Sequence, residues 1–438
     1  MKLDPGGGPC DTSAMQNHAR RWLSLAVLLA GLPTLGGEIS FEKHRLTREF
    51  WGEGADYADF NRDGHNDVVC GPFWYAGPDF RQRHAYAPAE ASFVRKDENG
   101  REERIPGYEG ALGRRNAYSN CFFCFTDDFN RDGWPDVLVI GLPGEPAYWY
   151  ENPRGKAGHW PKHLAIPVPD GESPVYMDVD GDGWREIVAC TGGRMGYFVP
   201  NREHPTEPWT FVAVSPGKNY HKYSHGQGAG DVNGDGRVDL LESNGWYEQP
   251  ASLAGRPVWK FHPFVFCPPT DPGIPVGGAQ IHVCDVNGDG LNDVVTAIAC
   301  HGYGLAWYEQ RRGPDGAIDF VRHQFVGKKP SDNPYGVAFS QPHALDMADI
   351  NGDGLPDLIT GKRFWAHGPT GDVEPNAPAV LYWFELRRQD GRAEFVPHLV
   401  DDDSGVGTQV KAGDIDGDGL PDIVVGNKKG LHVFLQRR

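Results

Sequence analysis

The chain has 438 residues, with 60 acidic and 42 basic side chains and a formal net charge of −18. Hydrophobic residues make up 39% of the sequence, which is typical of a soluble globular protein and excludes a multispan membrane protein. The acidic balance argues against nucleic acid as a partner, because phosphate groups are bound by basic surfaces. The 58 Gly and 36 Pro residues, with 12% aromatics, favour many short strands joined by tight turns.

Residues 1–37 have the pattern of a leader. Arg20 and Arg21 precede an apolar run over residues 22–30, and the small residues Thr34 and Gly36 follow it. This order is typical of a secretory signal peptide, and the apolar run is too short to span a bilayer. The alternative is a buried helix. We expect a secreted or periplasmic protein whose mature domain occupies residues 38–438.

A nine-residue motif, D-x-[DN]-x-D-G-x-x-[DE], occurs seven times and organises the rest of the chain. Its copies begin at Asp59, Asp128, Asp178, Asp231, Asp285, Asp349 and Asp414. Internal repeats of this length indicate a fold built from one repeated structural unit. The seven copies therefore predict seven equivalent units within a single domain.

Positions 1, 3, 5 and 9 of each motif carry side-chain oxygen atoms. Hard oxygen ligands in a flexible loop suit Ca²⁺ better than Zn²⁺ or copper, and a Gly at position 6 permits the sharp turn. The sequence predicts up to seven structural Ca²⁺ sites, and the alternative is a set of metal-free turns. The predicted ligands are Asp59, Asn61, Asp63, Asp67, Asp128, Asn130, Asp132, Asp136, Asp178, Asp180, Asp182, Glu186, Asp231, Asn233, Asp235, Asp239, Asp285, Asn287, Asp289, Asp293, Asp349, Asn351, Asp353, Asp357, Asp414, Asp416, Asp418 and Asp422.

Each repeat contains four segments that alternate as β-strands do. One strand precedes the acidic loop, one follows it, the third is aromatic and ends in Glu, and the fourth carries a His, as in Trp246-Tyr247-Glu248 followed by His262. Four strands in each of seven repeats predict an all-β, seven-bladed β-propeller. The last repeat lacks its fourth strand, and residues 41–46 match it, so we expect this N-terminal strand to complete the last blade.

The two faces of such a propeller are expected to differ. All acidic loops join the first and second strands of a blade and so share one face, which leaves the opposite face for a ligand. Candidate catalytic residues on that face are His225, His343, His301, His367, Lys362, Arg363 and Tyr223. Such a cluster suits an anionic or oxygen-rich ligand, and the alternative is the polar rim that any propeller has.

The repeated loop and its flanking strands resemble the FG-GAP/VCBS family of calcium-binding propellers, also seen in integrin α-subunits. Three further segments, residues 245–250, 301–307 and 361–367, resemble the propeller part of the aldos-2-ulose dehydratase family and its secreted bacterial relatives. That resemblance implies a sugar-active lyase that uses a divalent metal. Members of the dehydratase family carry further domains, whereas this chain is a single propeller.

Two functions remain open from the sequence. The first is a metal-assisted carbon–oxygen lyase of the dehydratase type, acting on keto-sugars or oxidised glycosides. Its catalytic divalent metal, such as Zn²⁺ or Mg²⁺, would be held by His225 and His343 with Glu53 or Glu172. Lys362 and Arg363 would bind the carbonyl or a carboxylate group. The second is a non-catalytic propeller that binds a glycan or a protein partner on the same face.

Overall fold

The structure is a computed structural model of the chain. It describes residues 39–111, 115–217, 220–271, 273–274 and 276–438. The predicted leader lies outside the described residues, so it stays a prediction. The described part of the chain contains thirty β-strands and one short 3₁₀ helix.

The strands are short and follow one another along the chain. In chain order they are β1 (Ser40–Thr47), β2 (Ala55–Ala58), β3 (Asp67–Cys70), β4 (Phe73–Ala76), β5 (Gln82–Ala85), β6 (Ser92–Lys96), β7 (Glu102–Pro106), β8 (Phe123–Asp127), β9 (Asp136–Ile140), β10 (Ala147–Tyr150), β11 (Lys162–Ile166), β12 (Asp170–Met177), β13 (Glu186–Thr191), β14 (Arg194–Val199), β15 (Thr210–Ala213), β16 (Gln227–Gly230), β17 (Asp239–Glu242), β18 (Gly245–Glu248), β19 (Lys260–Pro263), β20 (His282–Cys284), β21 (Asp293–Ala297), β22 (Leu305–Arg312), β23 (Ile318–Val326), β24 (Leu345–Ala348), β25 (Asp357–Gly361), β26 (Leu381–Gln389), β27 (Arg392–Asp401), β28 (Val410–Gly413), β29 (Asp422–Asn427) and β30 (Gly430–Arg437). The 3₁₀ helix spans Pro330–Asp332.

These strands form seven four-stranded antiparallel sheets, which are the blades. Blades one to six are β2–β5, β8–β11, β12–β15, β16–β19, β20–β23 and β24–β27. Apolar side chains of neighbouring blades pack between the sheets into buried clusters. The prediction of a seven-bladed propeller is confirmed.

The seventh blade joins the two ends of the domain. Its strand order is β1-β30-β29-β28, and β1 pairs antiparallel with β30 so that Ser40 lies opposite Arg437 and Arg45 lies opposite His432. The N-terminal strand therefore supplies the fourth strand that the last repeat lacks, as predicted. This pairing hydrogen bonds the edge that would otherwise stay open.

The histidines of the fourth strands are structural. His262 stacks on Trp246 with ring centroids 4.1 Å apart, and its Nε2 lies 2.7 Å from a carboxylate oxygen of Glu248. His323 makes the same stack on Trp307. Because the arrangement recurs with the fold, these residues hold the outer strands together.

Two departures from a plain repeat concern connections on the face opposite the acidic loops. A hairpin, β6–β7, is inserted after blade one, and residues 362–380 form a long connection between β25 and β26. The corresponding connection in blade seven is only residues 428–429. Connections as long as residues 362–380 usually have a function of their own.

The central channel is crossed by side chains just above the innermost strands. Gln280 Nε2 donates a 3.1 Å hydrogen bond to the carbonyl oxygen of Thr408, and the Thr408 hydroxyl hydrogen bonds to the carbonyl oxygen of Phe122. Gln409 bonds to both backbone groups of Cys124 at 2.8 Å. We call Gln280, Thr408, Gln409 and Phe122 the channel septum, because they link blades five, seven and two across the axis.

Candidate metal-binding and catalytic site

Antiparallel blades place their connections on two faces in strict alternation. The seven acidic loops each join the first strand of a blade to its second strand, so they share one face. The connections between blades, and those between second and third strands, lie on the opposite face. We call these the acidic face and the histidine face.

The acidic loops are held by hydrogen bonds within each motif. In the fourth loop, both Asp231 oxygens accept backbone N–H groups, those of Gly234 at 2.7 Å and Gly236 at 2.8 Å. Gly236 has a left-handed backbone with φ of 83°, which a side chain would strain. In two loops, three carboxylates converge closely enough to hold a metal ion: Asp178, Asp180 and Glu186, and Asp414, Asp416 and Asp422.

The carboxylate at position 9 is buried and ties the loop to the blade. Asp136 accepts the N–H of Phe129 within the loop at 3.1 Å and that of Asn152, after the third strand, at 2.7 Å. Burial raises the pKa of Asp136 to about 8, and the nearby Asp132 carboxylate adds to the shift. A cation at the loop would relieve this unfavourable ionisation.

Three buried histidines meet on the histidine face. His225 precedes β16, His301 lies between β21 and β22, and His343 precedes β24. The Nε2 atoms of His225 and His301 are 3.1 Å apart, and the ring centroid of His343 lies 4.5 Å from that of His301 and 5.8 Å from that of His225. Burial lowers the pKa of all three, so the neutral imidazoles are favoured.

The His343 ring is oriented for binding a ligand. Its Nδ1 lies 3.4 Å from the carbonyl oxygen of Gln341, and because a carbonyl can only accept, the proton sits on Nδ1. The Nε2 lone pair is then free, and this buried atom has no hydrogen-bond partner among the described residues. A buried acceptor without a partner is costly unless an ion or proton donor meets it.

Asp372 lies between His301 and a fourth imidazole, that of His367. One of its oxygens lies 2.7 Å from Nδ1 of His367 and 3.3 Å from Nδ1 of His301. Burial opposes ionisation of Asp372, but the two imidazoles outweigh it and lower its pKa. His367 stacks on His301 at 4.7 Å and is 47% exposed, whereas Asp372 is 7% exposed. Asp372 therefore hydrogen bonds to His367 and lies close to Nδ1 of His301, whose Nε2 faces His225.

Two carboxylates and one guanidinium lie beneath the histidines. Arg363 is buried and forms a close ion pair with Glu53, and its other terminal nitrogen lies 3.9 Å from Glu172. Glu172 also lies 3.8 Å from Nε2 of His225, and burial raises its pKa despite the nearby Arg363. Glu172 is thus the carboxylate that faces the histidines, while Glu53 is neutralised by Arg363.

The structure places both basic residues of the predicted substrate contact inside the protein. Lys362 is 1% exposed and donates a 2.7 Å hydrogen bond to the hydroxyl of Ser340, and burial lowers its pKa to about 8. Arg363 is used by Glu53, as described above. Both side chains are buried, and their contact with a carbonyl or carboxylate group of a substrate stays a prediction.

The structure brings most of the other sequence candidates together but leaves one of them outside the cluster. The structure brings together His225, His301, His343 and His367, but Tyr223 is exposed and its ring packs near His221 and the Lys222 ammonium. A cavity of about 410 Å³ opens beside His225 and is also lined by Tyr220, Glu242 and Phe261.

Sequence reasoning missed two residues of the cluster. Asp372 belongs to the long connection over residues 362–380, and that length was its only signal. Cys300 lies next to His301, and its thiol is close enough to His225 and His301 to share a metal ion with them. The backbone of Asp372 is left-handed, with φ of 55°, as is that of Gln341 with φ of 63°. Such strained residues concentrate at functional sites.

The histidine cluster fits a divalent transition metal. Two nitrogen ligands about 2.0–2.1 Å from a tetrahedral zinc ion lie about 3.4 Å apart. The observed separation of 3.1 Å between His225 and His301 is close to that value. Imidazole-rich donor sets suit Zn²⁺ better than Mg²⁺, and a carboxylate behind a ligating imidazole, as Asp372 stands behind His301, is common at such sites.

Comparison with protein-family models finds matches to the FG-GAP-like repeat over residues 128–189 and 285–360 and to the FG-GAP repeat over residues 406–430. The chain is thus a β-propeller that contains FG-GAP repeats. It is 27% identical to integrin alpha-IIb of Mus musculus over an alignment of 267 residues, which covers 50% of this chain and 23% of the integrin. The FG-GAP chain thus spans about a quarter of that relative.

Solved structures resemble the FG-GAP chain distantly. A lectin of Agrocybe aegerita that recognises non-reducing terminal N-acetylglucosamine is 17% identical with a TM-score of 0.43, covering 72% of this chain and 85% of the lectin. The rhamnogalacturonan lyase YesW is 13% identical with a TM-score of 0.39, covering 90% of this chain and 75% of the lyase. Within the described residues, no helix is long and apolar enough to cross a membrane.

Proposed function

We propose that this propeller is a secreted or periplasmic, metal-assisted carbon–oxygen lyase that acts on keto-sugars or oxidised glycosides. The observation that carries the proposal is the free, buried Nε2 of His343 beside the His225–His301 pair. His225, His301 and the Cys300 thiol converge closely enough to hold a metal ion, and Zn²⁺ suits this nitrogen and sulfur donor set best. Export rests on the sequence of the leader.

A bound Zn²⁺ would supply Lewis acidity to the carbonyl oxygen of the substrate. His225, His301 and Cys300 would hold it, and the free Nε2 of His343 lies beside them. The other residues of the cluster then carry the proton transfers of an elimination.

His367 is the best placed general base. Asp372 accepts its Nδ1 proton at 2.7 Å, which leaves Nε2 free on a half-exposed ring at the mouth of the site. In the elimination, Nε2 takes the proton on the carbon next to the carbonyl, and that electron pair forms the new carbon–carbon double bond as the carbon–oxygen bond breaks. Orientation of an imidazole by a carboxylate is the usual arrangement for such a base.

Glu172 is suited to protonate the departing oxygen. Its burial raises its pKa, which favours the protonated carboxyl group over the carboxylate. The proton moves from the carboxyl group to the leaving hydroxyl, which departs as water. His367 then loses its proton to solvent, and Glu172 takes one up from solvent, so both groups return to their starting states.

The acidic face has a separate role in the proposal. Each of the seven loops would bind one Ca²⁺ through the oxygens at positions 1, 3, 5 and 9, as predicted from the motif. The convergent carboxylates of Asp178, Asp180 and Glu186 support this assignment. These ions would stabilise the blades and take no part in catalysis.

Metal analysis combined with an activity assay tests the enzymatic proposal. After mild chelation, the wild-type protein should retain about one zinc ion per chain and convert members of a panel of keto-sugars and keto-glycosides to ultraviolet-absorbing enones. The double variant His225→Ala/His343→Ala should lose the zinc and the turnover but keep its calcium, whereas His262→Ala should keep all three.

Turnover that survives the double substitution would contradict the lyase. A protein that holds calcium alone, and that binds sugars without converting them, would instead support the non-catalytic binding propeller.

A further inference from the structure

The channel septum separates the histidine cluster from a second cavity of about 660 Å³. The innermost strands of the blades enclose this cavity, and we call it the lower cavity. Its lining includes Asp178 and Arg185, which belong to the acidic loop of blade three and its flank. The lower cavity therefore opens on the acidic face, away from the proposed catalytic site.

The lower cavity contains one uncommitted cation between two carboxylates. Lys411 of β28 projects near Asp346 of β24 and Asp56 of β2, and the Asp346 carboxylate, followed by that of Asp56, raises the pKa of Lys411 above its ordinary value. Nevertheless, Lys411 Nζ makes no hydrogen bond or close ion pair with either carboxylate in the part of the chain that the structure describes. All three groups line the same cavity, so they are accessible to one ligand.

The two carboxylates are fixed by the protein but retain acceptor capacity. Asp56 accepts hydrogen bonds from the backbone N–H of Thr126 at 2.9 Å and from its hydroxyl at 3.1 Å. Asp346 accepts the N–H of Ala412 at 2.9 Å. Because each carboxylate oxygen can accept two hydrogen bonds, both can also receive a ligand hydroxyl.

Aromatic rings and a second cationic group complete the walls. Tyr57, Phe125 and Tyr176 line the cavity with the donors and acceptors above. Arg185 is already engaged, because its guanidinium lies over the Tyr176 ring at 5.6 Å and 3.8 Å from the Asp127 carboxylate. Lys411 is thus the cation available to a ligand.

We propose that the lower cavity is a second ligand site, which binds a neutral, hydroxyl-rich molecule of mono- or disaccharide size. Lys411 would donate to ligand oxygens, Asp56 and Asp346 would accept from ligand hydroxyls, and the aromatic rings would cover the C–H face of a sugar ring. The cavity volume lies within the range of small-molecule sites. This site does not depend on the proposed lyase activity.

The charges select against ionic ligands. An anion would approach the carboxylates of Asp56, Asp178 and Asp346, and a cation would approach the Lys411 ammonium and the Arg185 guanidinium. A neutral polyol satisfies donors and acceptors without burying an unpaired charge, which would be costly.

Calorimetric titration of the full chain tests the site. The probes are glucose, maltose and cellobiose, applied to the His225→Ala/His343→Ala double variant so that the histidine cluster does not contribute. At least one sugar should bind saturably, and Lys411→Met in the same background should weaken it at least tenfold. The matched control Lys260→Met, an exposed outer-strand lysine, should leave the affinity within twofold.

Two further measurements keep the proposal testable if Lys411→Met does not fold. Asp346→Asn should weaken the same sugar at least fivefold, and a crystal soaked with that sugar should show it beside Lys411. The proposal is overturned if none of the three sugars binds, if glycine or glutamate binds in their place, or if the soaked crystal shows only water there. None of these results bears on turnover at the histidine cluster.

Discussion

The two faces of this propeller are built in opposite ways. The acidic face repeats one nine-residue turn seven times, and in every blade the backbone N–H of the Gly at position 6 donates to the carboxylate at position 1. On the histidine face, equivalent positions carry different residues: His225 and His343 in two blades correspond to Thr408 in another. Residues that recur in every blade therefore stabilise the fold, whereas residues that differ between blades form the proposed site.

The largest expected effect separates a unique histidine from a repeated one. His301→Ala should lower kcat/KM for a keto-sugar by about 10³-fold or more, since it removes a metal ligand of the proposed site. His323→Ala should leave kcat/KM within about twofold and lower the melting temperature by a few degrees, because it removes the stack on Trp307 and the 2.8 Å contact with Glu309. Steady-state kinetics measures kcat/KM and calorimetry measures the melting temperature. Equal losses of activity in the two variants would contradict the distinction between unique and repeated histidines.

Removal of calcium tests the acidic face. Strong chelation should lower the melting temperature by roughly 10 °C or more, because ions that bind only the native state add to its free energy of unfolding. Readdition of Ca²⁺ should restore it, while Zn²⁺ alone should not. An unchanged melting curve after proven calcium loss would show that the acidic turns are stable without metal.

Lys428 gives the histidine face a distinctive pH dependence of stability. This buried side chain hydrogen bonds to the Trp365 carbonyl at 2.6 Å and to Asn116, and burial lowers its pKa from 10.5 to about 8. Between these two pH values the unfolded chain binds a proton that the folded chain does not, so stability rises with pH. Relative to Lys428→Met, the wild type should gain about 3 kcal/mol across that window.

Urea unfolding at several pH values checks the Lys428 prediction. The control Lys260→Met should follow the wild-type curve, since Lys260 is exposed. Parallel curves for wild type and Lys428→Met would mean that Lys428 titrates normally.

The smallest expected effect concerns Asp372. Asp372→Asn keeps the shape of the side chain but removes its negative charge, which weakens its contacts with Nδ1 of His301 and of His367. We therefore expect kcat to fall by about 10- to 100-fold. The pH profile of kcat should shift as well, because His367 loses its carboxylate partner. Asp319→Asn, on an exposed outer strand, should change neither quantity. A normal pH profile for Asp372→Asn would restrict Asp372 to a structural role.

The sequence determined the scaffold almost completely. The spacing of the seven acidic motifs, the four strands per repeat and the match of residues 41–46 to the missing last strand predicted the blades and their closure. Each of these is a local sequence pattern that recurs along the chain, and a recurring pattern can be recognised without a structure. The face that carries His225 and His343 followed from the alternation of antiparallel connections.

Tertiary structure alone decided the composition of the cluster. Asp372 lies in a connection that no other blade repeats, and only its left-handed backbone and packing direct its carboxylate between His301 and His367. Arg363 forms an ion pair with Glu53 and therefore does not face the mouth of the site. Glu53 lies 310 positions earlier in the sequence, and closure of the ring brings the two side chains together. Charge pairing across a closed ring depends on which blades meet, and a linear sequence does not record that.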